Sequence, residues 1–316
     1  MTTAEGQTLP PEESAVTVKG LTRVFGDFRA VDNIDLTVAK GEVFGFLGPN
    51  GAGKSTTIRM LCGLLMPSAG TGTVGGFDIM KQSEEIKKHI GYMSQRFSLY
   101  DDLTIEENID FFSGIYGVAN DKRKERKEWV LDMAGIREKR KSITRTMASG
   151  FKQRLALGCA VIHEPPIIFL DEPTSGVDPI SRRRFWNLIY EMSSRGTTVF
   201  VTTHYLDEAE YCDRLALIHR GRIIAEGRPD VMKKEHMHKE ILEVAVPDIV
   251  AGLDVLGREG FDVALFGNVI HATVDKGESA IPAIRSALAG ANIPVANVTM
   301  VRPSLEDVFV SLIEVS

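Results

Sequence analysis

Gly48-Pro49-Asn50-Gly51-Ala52-Gly53-Lys54-Ser55 is the stretch that decides the fold. Two glycines with four residues between them, then lysine and serine, match the pattern of a phosphate-binding loop. The glycines let the backbone turn tightly and bring its N–H groups against phosphate oxygens. The lysine adds a point charge, and the serine hydroxyl suits Mg²⁺. A helix that follows presents its positive end to the same anion. The flanks agree: residues 43–47 read as a short buried strand. Residues 56–65 read as a helix with Ile58, Leu61, Leu64 and Leu65 on one face.

Working outward, residues 16–21 and 31–38 alternate apolar and polar positions, as half-exposed antiparallel strands do. Phe25 lies in the turn between them and by itself reads as a packing residue. Residues 71–77 suggest a hairpin, 84–89 a short helix and 90–93 a strand that ends at Ser94-Gln95. From 103 to about 158 the pattern is helical, opened by Thr104 as N-cap with Glu106 and Glu107 in the first turn. The charge run at 121–128 reads as a solvated helix face, with a surface near anionic lipid as the sharper alternative.

Ile167-Ile168-Phe169-Leu170 is a continuous apolar run, the mark of a strand covered on both faces. It ends in Asp171-Glu172, at the strand end where open α/β sheets bind ligands. Two neighbouring acids there repel each other and cost desolvation, so a cation or a water to be activated makes sense of them. A helix over 181–194 and a strand over 197–202 follow, with Thr203-His204 at its end. Residues 215–218 and 222–226 read as a strand pair about Gly221. Gln95 and His204, taken singly, are ordinary loop residues.

The 316 residues are enough for two domains, and 43% hydrophobic with 25% charged residues is ordinary globular composition. A net charge of −6 argues against a nucleic-acid binder that relies on overall positive charge. Cys62, Cys159 and Cys212 form no C-x-x-C pair, which fits a reducing compartment without a disulfide or zinc framework. No apolar run approaches the ~18 residues of a membrane span. Residues 1–14 are polar, unlike a secretory signal, and read as a disordered tail. The charged residues 233–240 read as a linker. Beyond it comes strand (241–246), helix (249–259), strand (261–266), a Gly267-Asn268 turn and strand (269–274). Helix (280–289), strand (295–300) and a last helix opened by Ser304 with Asp307 complete the chain. The order βαββαβ suggests a ferredoxin-like α+β domain. It has no cluster of catalytic residue types, so a regulatory or dimerisation role is expected.

The glycine loop, Gln95 after a strand, Asp171-Glu172 and His204 stand in an order that resembles the ATP-binding subunit of ABC transporters, over about residues 16–230. The run Ile167-Ile168-Phe169-Leu170-Asp171-Glu172-Pro173-Thr174-Ser175-Gly176-Val177-Asp178-Pro179 is particularly similar. The ending Pro303-Ser304-Leu305-Glu306-Asp307-Val308-Phe309 looks like that of the daunorubicin-resistance type of exporter ATPase. The resemblance implies an α/β P-loop NTPase fold over 15–232, with an antiparallel β subdomain and a helical subdomain at about 103–158. A smaller domain over 233–316 follows.

By the same resemblance, Phe25 stacks on adenine. Gly48, Pro49, Asn50, Gly51, Ala52, Gly53, Lys54, Ser55 and Thr56 line the phosphates of ATP. Ser55, Gln95 and Asp171 hold Mg²⁺, Glu172 is the general base, and His204 contacts the γ-phosphate, with Gln95 beside them in catalysis. Ser149, Gly150 and Asp178 belong to the nucleotide contacts of a head-to-tail dimer. The family's Leu-Ser-Gly-Gly-Gln signature is altered here to Met147-Ala148-Ser149-Gly150-Phe151, which removes one hydroxyl contact and implies a weakened but functional site. The implied protein is a cytoplasmic ATPase, peripheral on the inner face of the membrane. It pairs with a second nucleotide-binding subunit and docks on a polytopic permease to drive export of drug-like or lipid-like solutes, with no nucleic-acid partner. The alternative is an ABC ATPase that acts on DNA or ribosomes and moves no solute. Such factors usually carry two cassettes or long coiled-coil insertions, and this chain has one glycine loop and no sustained heptads.

Overall fold

The computed structural model describes residues 13–95, 99–236 and 239–314. The chain divides after Arg228 into two compact units.

The first unit opens with strands β1 (Ser14–Phe25) and β2 (Phe28–Ala39), an antiparallel hairpin closed by Gly26-Asp27. Ser14 therefore already belongs to a strand, not to a tail, and residues 1–12 lie outside the described residues. Strand β3 (Val43–Leu47) leads through the glycine loop into helix α1 (Lys54–Leu61). This helix is shorter than its apolar pattern predicts. Gly63 takes φ 67°, a left-handed conformation that ends the helix, and Leu64 is left exposed instead of joining the buried face. Strands β4 (Ala69–Val74) and β5 (Phe77–Asp78) complete a sheet of order β2-β1-β4-β5.

Helix α2 (Ser83–His89) and strand β6 (Ile90–Met93) follow, and then three helices: α3 (Ile105–Ile115), α4 (Asn120–Ala134) and α5 (Ser149–Ala160). Thr104 and Glu107 cap α3 reciprocally, so two orphan donors at its start are satisfied at once. On α4, part of the charge run pairs with neighbouring segments at the surface. Lys127 meets Asp110 at 2.5 Å, and Arg126 donates to Ile162 O at 2.9 Å and to Glu164 at 2.8 Å.

Strand β7 (Ile167–Asp171), helix α6 (Pro179–Ser194), and strands β8 (Thr198–Thr203), β9 (Arg214–His219) and β10 (Arg222–Gly227) finish the unit. The main sheet runs β10-β9-β3-β8-β7-β6, parallel throughout except for β10. β3, β7 and β8 are buried along their whole length, because one face packs on helices α3 to α6 and the other on α1 and the β1-β2-β4 sheet, so no alternation is needed. Phe200 sits at the centre, with the rings of Phe44, Phe46 and Phe169 at 5.5, 5.6 and 5.5 Å.

The second unit begins with helix α7 (Pro229–His236), where a linker over 233–240 was expected. Lys233, Lys234 and Glu235 of that stretch sit on a helix that buries Met232, and strand β11 (Glu240–Ala245) follows. Then come α8 (Ile249–Arg258), β12 (Asp262–Phe266), β13 (Val269–Val274), α9 (Gly277–Gly290), β14 (Asn297–Val301) and α10 (Leu305–Glu314). The sheet is antiparallel in the order β12-β13-β11-β14. Leu242, Val244, Ile270 and Ala272 pack on Leu256 of α8 and on Ile284 and Leu288 of α9. At the start of α10, Ser304 and Asp307 cap each other, and Asp307 reaches back to His271 of β13 at 2.9 Å.

No helix among the described residues is long and apolar enough to cross a membrane.

Candidate active site

β3 lies between β8 and β9, so the glycine loop starts at the carboxyl edge of the sheet interior. Its path leaves no room for side chains at two points. A Cβ on Gly48 would lie 2.2 Å from Ile218 O, and one on Gly53 would lie 2.6 Å from Ala30 O. Gly53 also takes φ 111°, which side-chain-bearing residues rarely adopt. Pro49, Asn50 and Gly51 form the exposed crest, while Ala52 is buried and Thr56 half-buried in α1. Lys54, only 4% exposed, folds back over the loop. Its Nζ donates to Gly48 O at 2.7 Å and Pro49 O at 3.1 Å, and it lies 3.2 Å from Glu172 Oε1.

The two acids end the neighbouring strand β7 and have different surroundings. Asp171 Oδ1 accepts from Ser55 Oγ at 3.0 Å and from Thr202 Oγ1 at 2.8 Å. Its hydrogen-bonding side chains are hydroxyls, and burial pushes its carboxyl above the ordinary range. Glu172 takes φ 48°, an uncommon conformation for glutamate that surrounding contacts must hold. Its N–H donates to Thr202 O at 3.1 Å and Thr202 Oγ1 at 3.0 Å. Its Oε2 accepts from Gln95 Nε2 at 3.0 Å and meets His204 Nδ1 at 3.2 Å. An amine, an amide and an imidazole thus converge on one carboxylate beside the loop.

A hard divalent cation fits this arrangement. Buried Asp171 carries a charge that hydroxyls alone compensate poorly, and Ser55 supplies another oxygen beside it. Gln95 turns its amide nitrogen to Glu172, which leaves its oxygen as the donor for a cation.

A family model described as ABC transporter matches residues 31–175, and a shorter match to a model described as an AAA domain covers 145–206. The daunorubicin resistance ATP-binding protein DrrA3 of Streptomyces coeruleorubidus is 34% identical over 95% of this chain and 96% of its own length. The chain belongs to the family of ABC transporter ATP-binding proteins. The "Probable multidrug ABC transporter ATP-binding protein YbhF" of Escherichia coli K12 is 50% identical over 73% of this chain, which spans only 40% of that relative's length. Among solved structures, cbiO1 of Clostridium perfringens, part of the ABC transporter complex cbiONQ, aligns with TM-score 0.65 at 28% identity. The alignment covers 71% of this chain and 92% of that one. The dimeric cassette MJ0796, bound to ADP and Pi in a post-hydrolysis state, aligns with TM-score 0.62 at 26% identity over 67% and 98%. The fold of the first unit is that of an ABC ATPase cassette.

Within this ABC cassette, Lys54, Ser55, Gln95, Asp171, Glu172 and His204 form one cluster. Phe25 stands at the tip of the β1–β2 hairpin, 46% exposed, with the Arg23 guanidinium 4.5 Å over its ring. Ser149, Gly150 and Asp178 gather instead around the start of α6. Ser149 Oγ donates to Gly176 O at 3.4 Å, a Cβ on Gly150 would lie 2.5 Å from Ser181 Oγ, and Asp178 accepts from Ser181 N at 2.9 Å. Sequence reasoning missed Thr202, which holds both acids. A threonine inside the buried run Thr198-Val199-Phe200-Val201-Thr202-Thr203 was the available signal, since a buried hydroxyl needs a partner.

Proposed function

We propose that the chain is the ATP-hydrolysing subunit of an ABC exporter. Its cassette pairs with a second cassette and drives a separate membrane permease. The observation that carries this reading is the convergence of Lys54, Gln95 and His204 on Glu172 at the end of β7, beside the glycine loop. Phosphoryl transfer asks a protein mainly to position groups and neutralise charge. The loop N–H groups and Lys54 hold the outer phosphates, and Phe25 offers a ring face to the base. Ser55, Gln95 and Asp171 would hold Mg²⁺, which when bound would neutralise charge on the phosphate oxygens. Glu172 takes up the proton of the attacking water, and Gln95 and His204 fix the direction of its carboxylate. Ser149 and Gly150 at the start of α5, with Asp178, face the nucleotide of the partner cassette. Ala148 lacks the hydroxyl usual there, and one such bond to a charged group contributes about 1.5–3 kcal/mol.

The named relatives concern resistance to daunorubicin and doxorubicin, linearmycin resistance and Nod factor export, which supports export of a drug-like or lipid-like solute. Glu172→Gln tests the reading. The variant is expected to keep ATP binding, to accumulate as an ATP-bound dimer and to lose about 10²–10⁴-fold in turnover. Size-exclusion chromatography with ATP and a phosphate-release assay read both effects. Unchanged turnover would refute the assigned base.

A further inference from the structure

Two loops leave neighbouring strands of the main sheet and carry the proposed chemistry between them. One leaves β7 with Glu172, the other leaves β8 with His204, and Asp171 pairs with Thr202 in the ladder beneath. A third side chain spans the same gap further out. Glu208, four residues beyond His204 in the short turn Leu206–Tyr211, is 0% exposed. Its Oε1 accepts from Thr174 Oγ1 at 2.5 Å and lies 3.4 Å from Arg182 Nε. Thr174 is two residues past Glu172. Arg182 is in the first turn of α6, where its N–H donates to Asp178 O at 2.9 Å. One carboxylate therefore grips both ends of the loop that runs from Glu172 into α6. The Arg182 guanidinium lies 4.3 Å over the Tyr205 ring, and that ring lies 4.1 Å from the His204 imidazole. The contacts close a circuit from the base to the histidine.

A fully buried acid is a poor way to gain stability, because desolvation opposes its charge. Burial does push the Glu208 carboxyl upward, against Thr174, Thr203, Arg182 and Trp186, which favour its charged form. Its bonded partners sit on the segments whose spacing sets the 3.2 Å contact between Glu172 and His204. Glu172 is also in an uncommon backbone conformation that its neighbours must maintain. Resting on the ATP-hydrolysis reading above, we propose that Glu208 is a positioning residue. It registers the loop after Glu172 against the loop after His204, and thereby holds base and histidine in working geometry.

The test uses the full chain with steady-state ATPase kinetics. Glu208→Gln and Thr174→Val each lower kcat about tenfold or more, because a small misplacement of a catalytic group is costly. KM for ATP stays within about twofold, since Lys54 and its loop are untouched. The double variant is no slower than the slower single one, because both remove the same link. Thr174→Ser, which keeps the hydroxyl, restores most of kcat. Near-UV circular dichroism shows that each variant is folded. If Glu208→Gln does not fold, the Thr174→Val and Thr174→Ser pair carries the test by itself. An unchanged kcat in folded variants, additive losses in the double variant, or a rise in KM matching the loss would overturn the proposal. Loss of turnover in none of these variants but in Glu172→Gln would leave the ATPase reading standing. A wild-type chain without ATPase activity would remove that reading instead.

Discussion

At the scale of single residues, the two adjacent acids are separated by their surroundings. Glu172 has a cationic amine and two nitrogen-bearing neighbours, whereas Asp171 has two hydroxyls. Burial holds the Asp171 pKa above its unfolded value. The native state then binds the proton more readily than the unfolded chain, so the charged carboxylate lowers stability once pH rises through the ordinary carboxylate range. Asp171→Asn keeps an oxygen for Ser55 and Thr202 and removes that charge. It is expected to raise the unfolding temperature of the nucleotide-free protein at pH 7 by a few degrees, with the gain fading toward pH 4, while Mg²⁺-dependent turnover is lost. Thermal unfolding at several pH values and a phosphate-release assay check both halves. These residues were legible because their chemistry is local: a glycine loop before a helix, and acids closing an apolar run. Thr202 and Glu208 were not legible. Asp171, bonded to Thr202, and Thr174, bonded to Glu208, lie 31 and 34 positions away, and Leu206-Asp207-Glu208-Ala209-Glu210 reads like a solvated helix turn.

Among the elements, the start of α5 shows how a packing demand can resemble a functional one. Gly150 stands in the altered signature segment, yet a Cβ there would strike Ser181 Oγ at 2.5 Å and Ser181 Cβ at 2.7 Å. Gly150→Ala is expected to push α5 from α6 and to lower turnover. Ser181→Gly in the same chain is expected to restore it, because the added methyl points at α6. ATPase rates of the two single variants and the double variant decide this. Failure of the rescue would mean that the methyl meets the partner cassette instead. Element ends were harder to read than element existence. The apolar spacing of Leu64 and Leu65 extends α1 on paper, but Gly63 ends it in space. Charge density at 233–240 suggested a linker, although much of it lies on α7, whose buried face is as small as Met232. A short amphipathic helix that buries so little apolar surface leaves almost no periodic signal.

For the molecule as a whole, the two units have separate cores, and unfolding is expected to report them separately. In the second unit, burial works against a charged Asp307, but bonds from His271 and Ser304 overcome it and hold its carboxyl below the ordinary range. A group with a lowered native pKa adds stability above its unfolded pKa and loses it as pH falls through the native one. Asp307→Ala is expected to destabilise the second unit by about 1–3 kcal/mol at pH 7 and by less in acid. Calorimetry should show one transition moving while that of the cassette stays in place. Movement of both by the same amount would mean that the two units unfold together.

The Lys54 ammonium has a double allegiance, to the carbonyls of its own loop and to Glu172 Oε1 at 3.2 Å. Any phosphate that captures this lysine takes it from Glu172, the proposed base. On the proposed reading, recruitment of fuel and release of the base are thus a single exchange of partners, an interlock in which the carboxylate parts from the ammonium only when there is something to cleave.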